Sequence, residues 1–366
     1  MQIQNIETFQ TAIPLHTPFK TALRTVTIAE SIVVKITCEG GVTGFGEAPP
    51  THVITGESLA SVDFAINRVF KPLLLGMDID AREQIFERLH GSMVGNPSAK
   101  AAVDIALYDC IANAASTPLV SFLGGYRKEI ETDYTVSVNT PEEMAADARK
   151  YINNGFNVLK IKVGKDQIEQ DVKRIQAIRK EIGDDTLIRL DANQGWKAKE
   201  AVKAIRQMES LGLDIELIEQ PVSAFDIEGL KYVTDNTETP IMADESVFSP
   251  LDAKRILENK AADLINIKLM KAGGIHQALK IAALAQAYGV ECMVGSMIET
   301  KLGITAAAHF AASQPNVTRY DFDAPLMLTD DLIQGGVTYE GKVIRLGTAA
   351  GLGIKKINKQ YIINQQ

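Results

Sequence analysis

From Thr132 to Tyr320 the chain switches between two hydrophobic periods, and that alternation limits its fold more than any other feature. Strand-like runs fall at Asp133–Val138, Val158–Val163, Leu187–Leu190, Ile215–Ile218, Pro240–Ala243, Leu264–Ile267, Glu291–Val294 and Arg319–Tyr320. Helical periodicity lies between them, over Glu142–Asn153, Ile168–Ile182, Ala198–Leu211, Ile275–Tyr288 and Leu302–Ala312. Successive parallel strands need a long crossover, usually a helix. Eight such units in about 190 residues predict an α/β chain folded as a (β/α)8 TIM-type barrel, compact for that architecture. A doubly wound open sheet is the alternative, weakened because no G-x-G-x-x-G opens any βα turn.

The flanks read differently. Ser31–Cys38, the turn Glu39-Gly40-Gly41 and the return Val42–Glu47 have the signature of a hairpin. Residues 57–75, 81–90 and Ser98–Ala115 carry helical patterns. Strands followed by helices, without alternation, predict a separate α+β domain over residues 1–125, with the barrel over 126–324. A second hairpin is expected from Gly336–Tyr339, a turn at Glu340-Gly341 and Lys342–Arg345. The segment 325–366 is expected to run back, pack on the N-terminal domain and complete it as a cap over the barrel.

Composition excludes several partners. With 46% hydrophobic and 23% charged residues the chain is an ordinary globular protein, and a net charge of -8 argues against a nucleic-acid backbone as partner. No apolar run approaches the roughly 20 residues that span a bilayer, so no membrane partner is expected. Met1–Glu7 lacks the basic-then-apolar pattern of a secretory signal. Cys38, Cys110 and Cys292 are odd in number and share no metal-ligand spacing, as expected of buried free thiols in a reducing cytoplasm.

The chemistry lies where the apolar runs stop, because barrel active sites form at the C-terminal ends of the strands. Leu187–Leu190 ends in Asp191, Ile215–Ile218 in Glu219 and Pro240–Ala243 in Asp244-Glu245. One such acid would often be a helix cap. Three on consecutive strands converge on one space, where they repel and raise one another's pKa values. A hard divalent cation relieves that repulsion, which points to one Mg2+ per site. Lysines flank the trio: Lys160 and Lys162 on one side, Lys268 on the other. In a strand, residues i and i+2 share a face, so both Lys160 and Lys162 project into one space. An exposed edge strand would explain them blandly, but a closed barrel has no edges. A carboxylate substrate on the cation would hold its α-carbon between opposed amines, an arrangement suited to proton abstraction and return through an enolate. Lysines acting as bases must be neutral, so lowered pKa values are expected of them. Lys271, three residues past its strand, reads as surface, and His309 as helix packing or surface.

Together these positions, with the Glu219-Gln220-Pro221 and Asp244-Glu245-Ser246 boxes, resemble the muconate-lactonising subgroup of the enolase superfamily over essentially the whole chain. The resemblance implies a modified, enolase-like barrel under an N-terminal cap. It implies Asp191, Glu219 and Asp244 as Mg2+ ligands and Lys162 and Lys268 as acid/base catalysts, with Lys160 beside the substrate carboxylate. Asp321-Phe322-Asp323 looks like the ammonium-binding pair of the dipeptide epimerases in this subgroup. The segment Pro18–Thr25, with Phe19 and Arg24, is similar to that of the epimerases acting on L-Ala-D/L-Glu, where the matching arginine pairs with the glutamate side chain. Ile54-Thr55-Gly56 resembles a second capping loop, and Thr135, Ser296 and Met297 match pocket positions. His52 has no counterpart role.

The expected activity is therefore 1,1-proton transfer at the C-terminal residue of a small dipeptide, in cytoplasmic recycling of murein peptides, by a homo-oligomer. The rivals are another reaction of the subgroup (o-succinylbenzoate synthesis, N-acylamino acid racemisation, cycloisomerisation), an epimerase for other dipeptides, or an inactive metal-binding relative.

Overall fold

A computed structural model of the protein describes residues 1–365. Three antiparallel strands, β1 (Ile3–Lys20), β2 (Thr25–Cys38) and β3 (Thr43–Ala48), open the chain. Against them lies the helix Pro97–Ala114, buried along nearly its whole length. Gly44 and Gly46 permit that approach, since a Cβ on either would run into the helix backbone at Ala106 or Ala102. The pattern over 57–75 resolves into Leu59–Phe64, a π-helical stretch Ala65–Phe70 and Lys71–Leu74.

A short strand, β4 (Glu129–Glu131), leads into the barrel. Its eight parallel strands are β5 (Tyr134–Val136), β6 (Val158–Lys162), β7 (Leu187–Asp191), β8 (Ile215–Glu219), β9 (Ile241–Ala243), β10 (Leu264–Ile267), β11 (Cys292–Val294) and β12 (Val317–Tyr320), each paired with its neighbours in chain order. The alternation read from the sequence thus yields the expected (β/α)8 arrangement. Two short helices, Ile227–Asp235 and Pro250–Asn259, complete it; each starts on a side-chain cap, Asp226 or Ser249, but is too short for its period to stand out. β5 and β12 share no ladder. They meet through one main-chain bond, Asp133 N–H to Tyr320 O at 3.2 Å, reinforced by Phe322 N–H to Thr132 Oγ1 at 2.8 Å.

The period of two sorts the barrel residues. On β6, Leu159 and Ile161 face outward into the core beneath the helices, while Lys160 and Lys162 face the barrel axis. Strand β6 is paired on both sides, to β5 and β7, so the edge-strand reading of the two lysines fails. Deeper in the barrel the filling is partly ionic. Arg189 pairs with Asp133 at 2.9 Å and Glu216 at 2.6 Å, while Leu217, Met242, Leu264 and Met293 form an apolar plug alongside.

The C-terminal hairpin departs from expectation. β13 (Ile333–Gly335) is followed by the hairpin β14 (Thr338–Glu340) and β15 (Val343–Arg345), and β15 pairs with β4 rather than with the N-terminal sheet. Burial of Ile344 against Ile130, its register partner, selects that edge. The return to the cap comes later: β16 (Ile354–Ile357) pairs with β13, and β17 (Ile362–Gln365) adds to β1 at Phe9–Thr11.

His309 lies inside the helix Lys301–Ser313, and its Nδ1 accepts from the Val120 amide at 2.9 Å. Burial pushes its pKa down to about 3. Above the ordinary histidine value of about 6.5 it is neutral folded or unfolded; below it, only the unfolded chain takes the proton. Stability is therefore full above pH 6.5 and falls toward pH 3, by about 2 kcal/mol at pH 5 from this residue. Urea unfolding at pH 7.5 and 5.0 should show that loss in the wild type and a smaller one in His309→Gln. Equal losses in both would assign it elsewhere.

Candidate active site

The register of the barrel strands brings the candidate residues together. Lys162 is paired across the sheet with Asp191, and Asp191 with Glu219. Asp244 and Glu245 follow β9, Lys268 follows β10, Ser296 and Met297 follow β11, and Asp321 and Asp323 follow β12. Backbone strain marks the turns after the acids: Asn193, Gln194 and Gln220 have φ of 41°, 69° and 36°. Each costs about 1–3 kcal/mol unless surrounding bonds hold it. At Gln220 they do. Its amide nitrogen donates to Val222 O and Ser246 Oγ, while its Oε1 accepts from the Asp244 and Ser246 amides.

A cavity of about 60 Å³ sits at the mouth of the barrel. Phe19, Arg24 and Ile54 line it from the cap; Thr135, Lys162, Lys268, Ser296, Met297, Asp321 and Asp323 line it from the strand ends. Lys160, Asp191, Glu219 and Asp244 lie behind that lining, fully buried. His52 is exposed and does not line the cavity.

Lysines and acids interleave. Lys160 Nζ lies 2.7 Å from Asp321 Oδ2, 2.8 Å from Glu219 Oε2 and 3.2 Å from Asp191 Oδ2. Lys162 Nζ lies 2.5 Å from Asp191 Oδ2, and Lys268 Nζ 2.7 Å from Asp244 Oδ2. Burial opposes the charge on Asp191, yet Lys162 and Lys160 bring it down to about 2. Burial and the neighbouring Asp191 push Glu219 up to about 7. Burial, with Asp321 beside it, lifts Asp323 to about 7 as well. Burial also works against the ammonium of Lys268, but Asp244 and Glu219 outweigh it and hold its pKa above the ordinary lysine range. The expectation of lowered lysine pKa values is thus reversed at Lys268, because the acids around it outnumber the neighbouring cations.

Two residues were misjudged or passed over in the sequence. Lys271 is not surface: it is 1% exposed, its ammonium 2.6 Å from Asp244 Oδ1 and donating to the carbonyls of Asp244, Val247 and Asn266. The turn Leu269–Ala272 folds it back under β9, which spacing alone does not reveal. Glu245 is buried, accepts from Asn193 Nδ2 at 3.2 Å and is pushed by burial and Asp244 up to about 8. The Asp244-Glu245 doublet and Asn193 were the available signal. Arg24, by contrast, lines the cavity and has no charged partner that offsets its burial among the described residues.

A divalent cation would have to be held by this donor set. Among the described residues no three His, Cys, Asp or Glu side chains are drawn tightly enough together to cage one as they stand. Ammonium groups lie between the carboxylates instead. The chemistry nonetheless fits. Six carboxyls, Asp191, Glu219, Asp244, Glu245, Asp321 and Asp323, face four ammonium groups, Lys160, Lys162, Lys268 and Lys271, so full ionisation leaves two negative charges in excess. Glu219 Oε2 and Asp244 Oδ1 are buried and meet ammonium groups, of Lys160 and Lys271, in ion pairs without hydrogen-bond alignment. Hard oxygens carrying an excess charge of that size suit Mg2+.

The chain resembles known proteins over nearly its whole length. Residues 3–124 match the mandelate racemase / muconate lactonizing enzyme N-terminal domain, and residues 143–359 match the enolase C-terminal domain-like family. The chain is 62% identical over 97% of its length to the L-Ala-D/L-Glu epimerase of Bacillus subtilis (strain 168), covering 97% of that protein. The solved substrate-liganded complex of the B. subtilis L-Ala-D/L-Glu epimerase superposes with a TM-score of 0.97 at 61% identity, covering 98% of this chain and 100% of that one. A dipeptide epimerase from Enterococcus faecalis V583, solved with Mg and the dipeptide L-Leu-L-Tyr, superposes with a TM-score of 0.94 at 45% identity, covering 97% and 100%.

Proposed function

The chain belongs to the mandelate racemase / muconate lactonizing enzyme family of the enolase superfamily, and from that premise we propose that it is an isomerase interconverting L-Ala-L-Glu and L-Ala-D-Glu. The observation that carries this reading is the placing of two lysines in one cavity, Lys162 from β6 and Lys268 beyond β10, four strands apart in a ring of eight. A substrate α-carbon between them presents one face to each. One neutral amine removes the α-proton, leaving an enolate, and the opposite ammonium returns a proton to the other face, inverting the centre. Lys160 keeps its charge, because Asp321, Glu219 and Asp191 outweigh the burial that opposes it. It thus supplies a fixed cation beside the substrate carboxylate.

Asp191, Glu219 and Asp244 would hold one Mg2+, whose charge, when bound, lowers the cost of added negative charge on a neighbouring carboxylate. Asp321 and Asp323 face the cavity as acceptors for a free α-ammonium, and Arg24 faces it as a donor fork for the glutamate side chain. Thr135, Ser296, Met297, Phe19 and Ile54 supply the surrounding wall. We place the reaction in the cytoplasmic turnover of murein peptides. The three cysteines are free and buried, as suits a reducing compartment, and no helix among the described residues is long and apolar enough to cross a membrane.

The test is exchange in D2O over a dipeptide library, read by mass spectrometry at the C-terminal residue. Ala-Glu should exchange strongly and Ala-Phe poorly, and Arg24→Met should raise KM for Ala-Glu roughly 10- to 100-fold, the effect of losing a charged hydrogen-bonded pair. Preferential exchange of Ala-Phe by the wild type would sink the assignment of Arg24 as selector.

A further inference from the structure

Away from the lysines and acids of the catalytic ring, two more buried glutamates meet where the cap touches the barrel. Glu47, on β3, reaches the first turn of the helix Lys301–Ser313. Its Oε1 accepts from the Thr300 amide at 3.1 Å, and its Oε2 from the Thr300 hydroxyl at 2.6 Å and the Gly303 amide at 2.8 Å. A carboxylate from the cap thereby satisfies the free donors of a barrel helix and complements its dipole.

Glu299 immediately precedes that helix cap. Its Oε1 accepts from the Met297 amide at 2.9 Å, while its Oε2 is buried without a hydrogen-bond partner among the described residues. The two carboxyls converge on Gly303, where a Cβ would stand 2.5 Å from Glu299 Oε2 and 3.2 Å from Glu47 Oε2. A larger residue there would displace the Glu299 carboxyl. Burial and the charge of Glu47 push Glu299 up to about 8, so at neutral pH it is mostly the neutral acid.

The segment Ser296–Ile298, tied at Met297 by Glu299 and running directly into the Thr300 cap that Glu47 holds, is one wall of the cavity. Neither glutamate lines the cavity itself. We propose that Glu47 and Glu299 are positioning residues, Glu47 fastening to the cap the helix start that follows the wall Ser296–Ile298 and Glu299 bracing the wall at Met297, and that together they set the affinity for the dipeptide without touching it. This rests on the cavity being the dipeptide site. A clamp of this kind acts on the ground state and the transition state alike, so its loss appears in KM more than in kcat.

Glu299→Ala, Glu299→Gln and Glu47→Ala, assayed with Ala-Glu well below the unfolding temperature of each, test the proposal. Glu299→Ala releases the Met297 amide, and KM should rise roughly fivefold or more with kcat within about threefold. Glu299→Gln, isosteric with the neutral acid, keeps the acceptor and should bring KM back to within about twofold of wild type. Glu47→Ala should raise KM similarly, and the double alanine variant by less than the product of the two, since both hold one segment. Wild-type turnover with an unchanged KM in Glu299→Ala, or an equal rise in Glu299→Gln, overturns the clamp alone. Absence of wild-type turnover on Ala-Glu overturns both the clamp and the function it rests on.

Discussion

Lys268→Ala is expected to slow epimerisation in both directions by at least about a thousandfold while leaving α-proton exchange on one of the two epimers. The difference follows from geometry. Inversion needs a base on one face of the α-carbon and an acid on the other. Exchange with solvent needs only the base that faces the proton. Lys162 and Lys268 reach the cavity from opposite sides of the ring, so under the proposed scheme each is expected to serve one epimer. Proton NMR of each epimer in D2O reads the exchange directly. Lys162→Ala should give the mirror-image pattern, retaining exchange on the epimer that Lys268→Ala loses. Wild-type epimerisation by Lys268→Ala, or retention of the same epimer's exchange by both variants, would refute the two-base scheme.

The second large effect concerns the acid ring. Chelation with EDTA should abolish turnover, and Mg2+ should restore it. A readout apart from activity is thermal stability, since a cation that binds only the folded chain stabilises it by about 2.7 kcal/mol at a hundred times its Kd. Saturating Mg2+ should raise the unfolding temperature of the wild type and do so far less in Glu219→Gln or Asp244→Asn. Both substitutions remove a carboxylate from a ring whose acids outnumber its ammonium groups. A stabilisation by Mg2+ undiminished in both variants would place the cation elsewhere.

Much of this site could be read along the chain because its information is local. Asp191, Glu219 and Asp244 each stand where a short apolar run stops, and the period of a strand is enough to aim Lys160 and Lys162 together. The capping positions Phe19, Arg24 and Ile54 carried no such signal; only a resemblance singled them out, and tertiary folding sets them over the strand ends. The C-terminal hairpin shows the limit most plainly. Its turn was legible, but its partner was not, because the edges of β4 and of the N-terminal sheet were both open to it. Burial of Ile130 against Ile344 made the choice.

Lys271 and the pair Glu47 and Glu299 mark the same boundary. A lysine three residues past a strand reads as surface unless the following turn is known to fold inward, and two glutamates far apart in the chain give no hint that they meet at Gly303. The sequence by itself determined which residues alternate, which strand ends carry charge and therefore that a (β/α)8 barrel with an acid and lysine ring would form. Only the tertiary structure decided how those charges pair, which of them burial drives toward neutrality and which distant segments hold the cavity wall. Period and turn chemistry act between near neighbours in the chain, whereas desolvation and Coulomb interaction depend on distances that exist only after remote segments have packed.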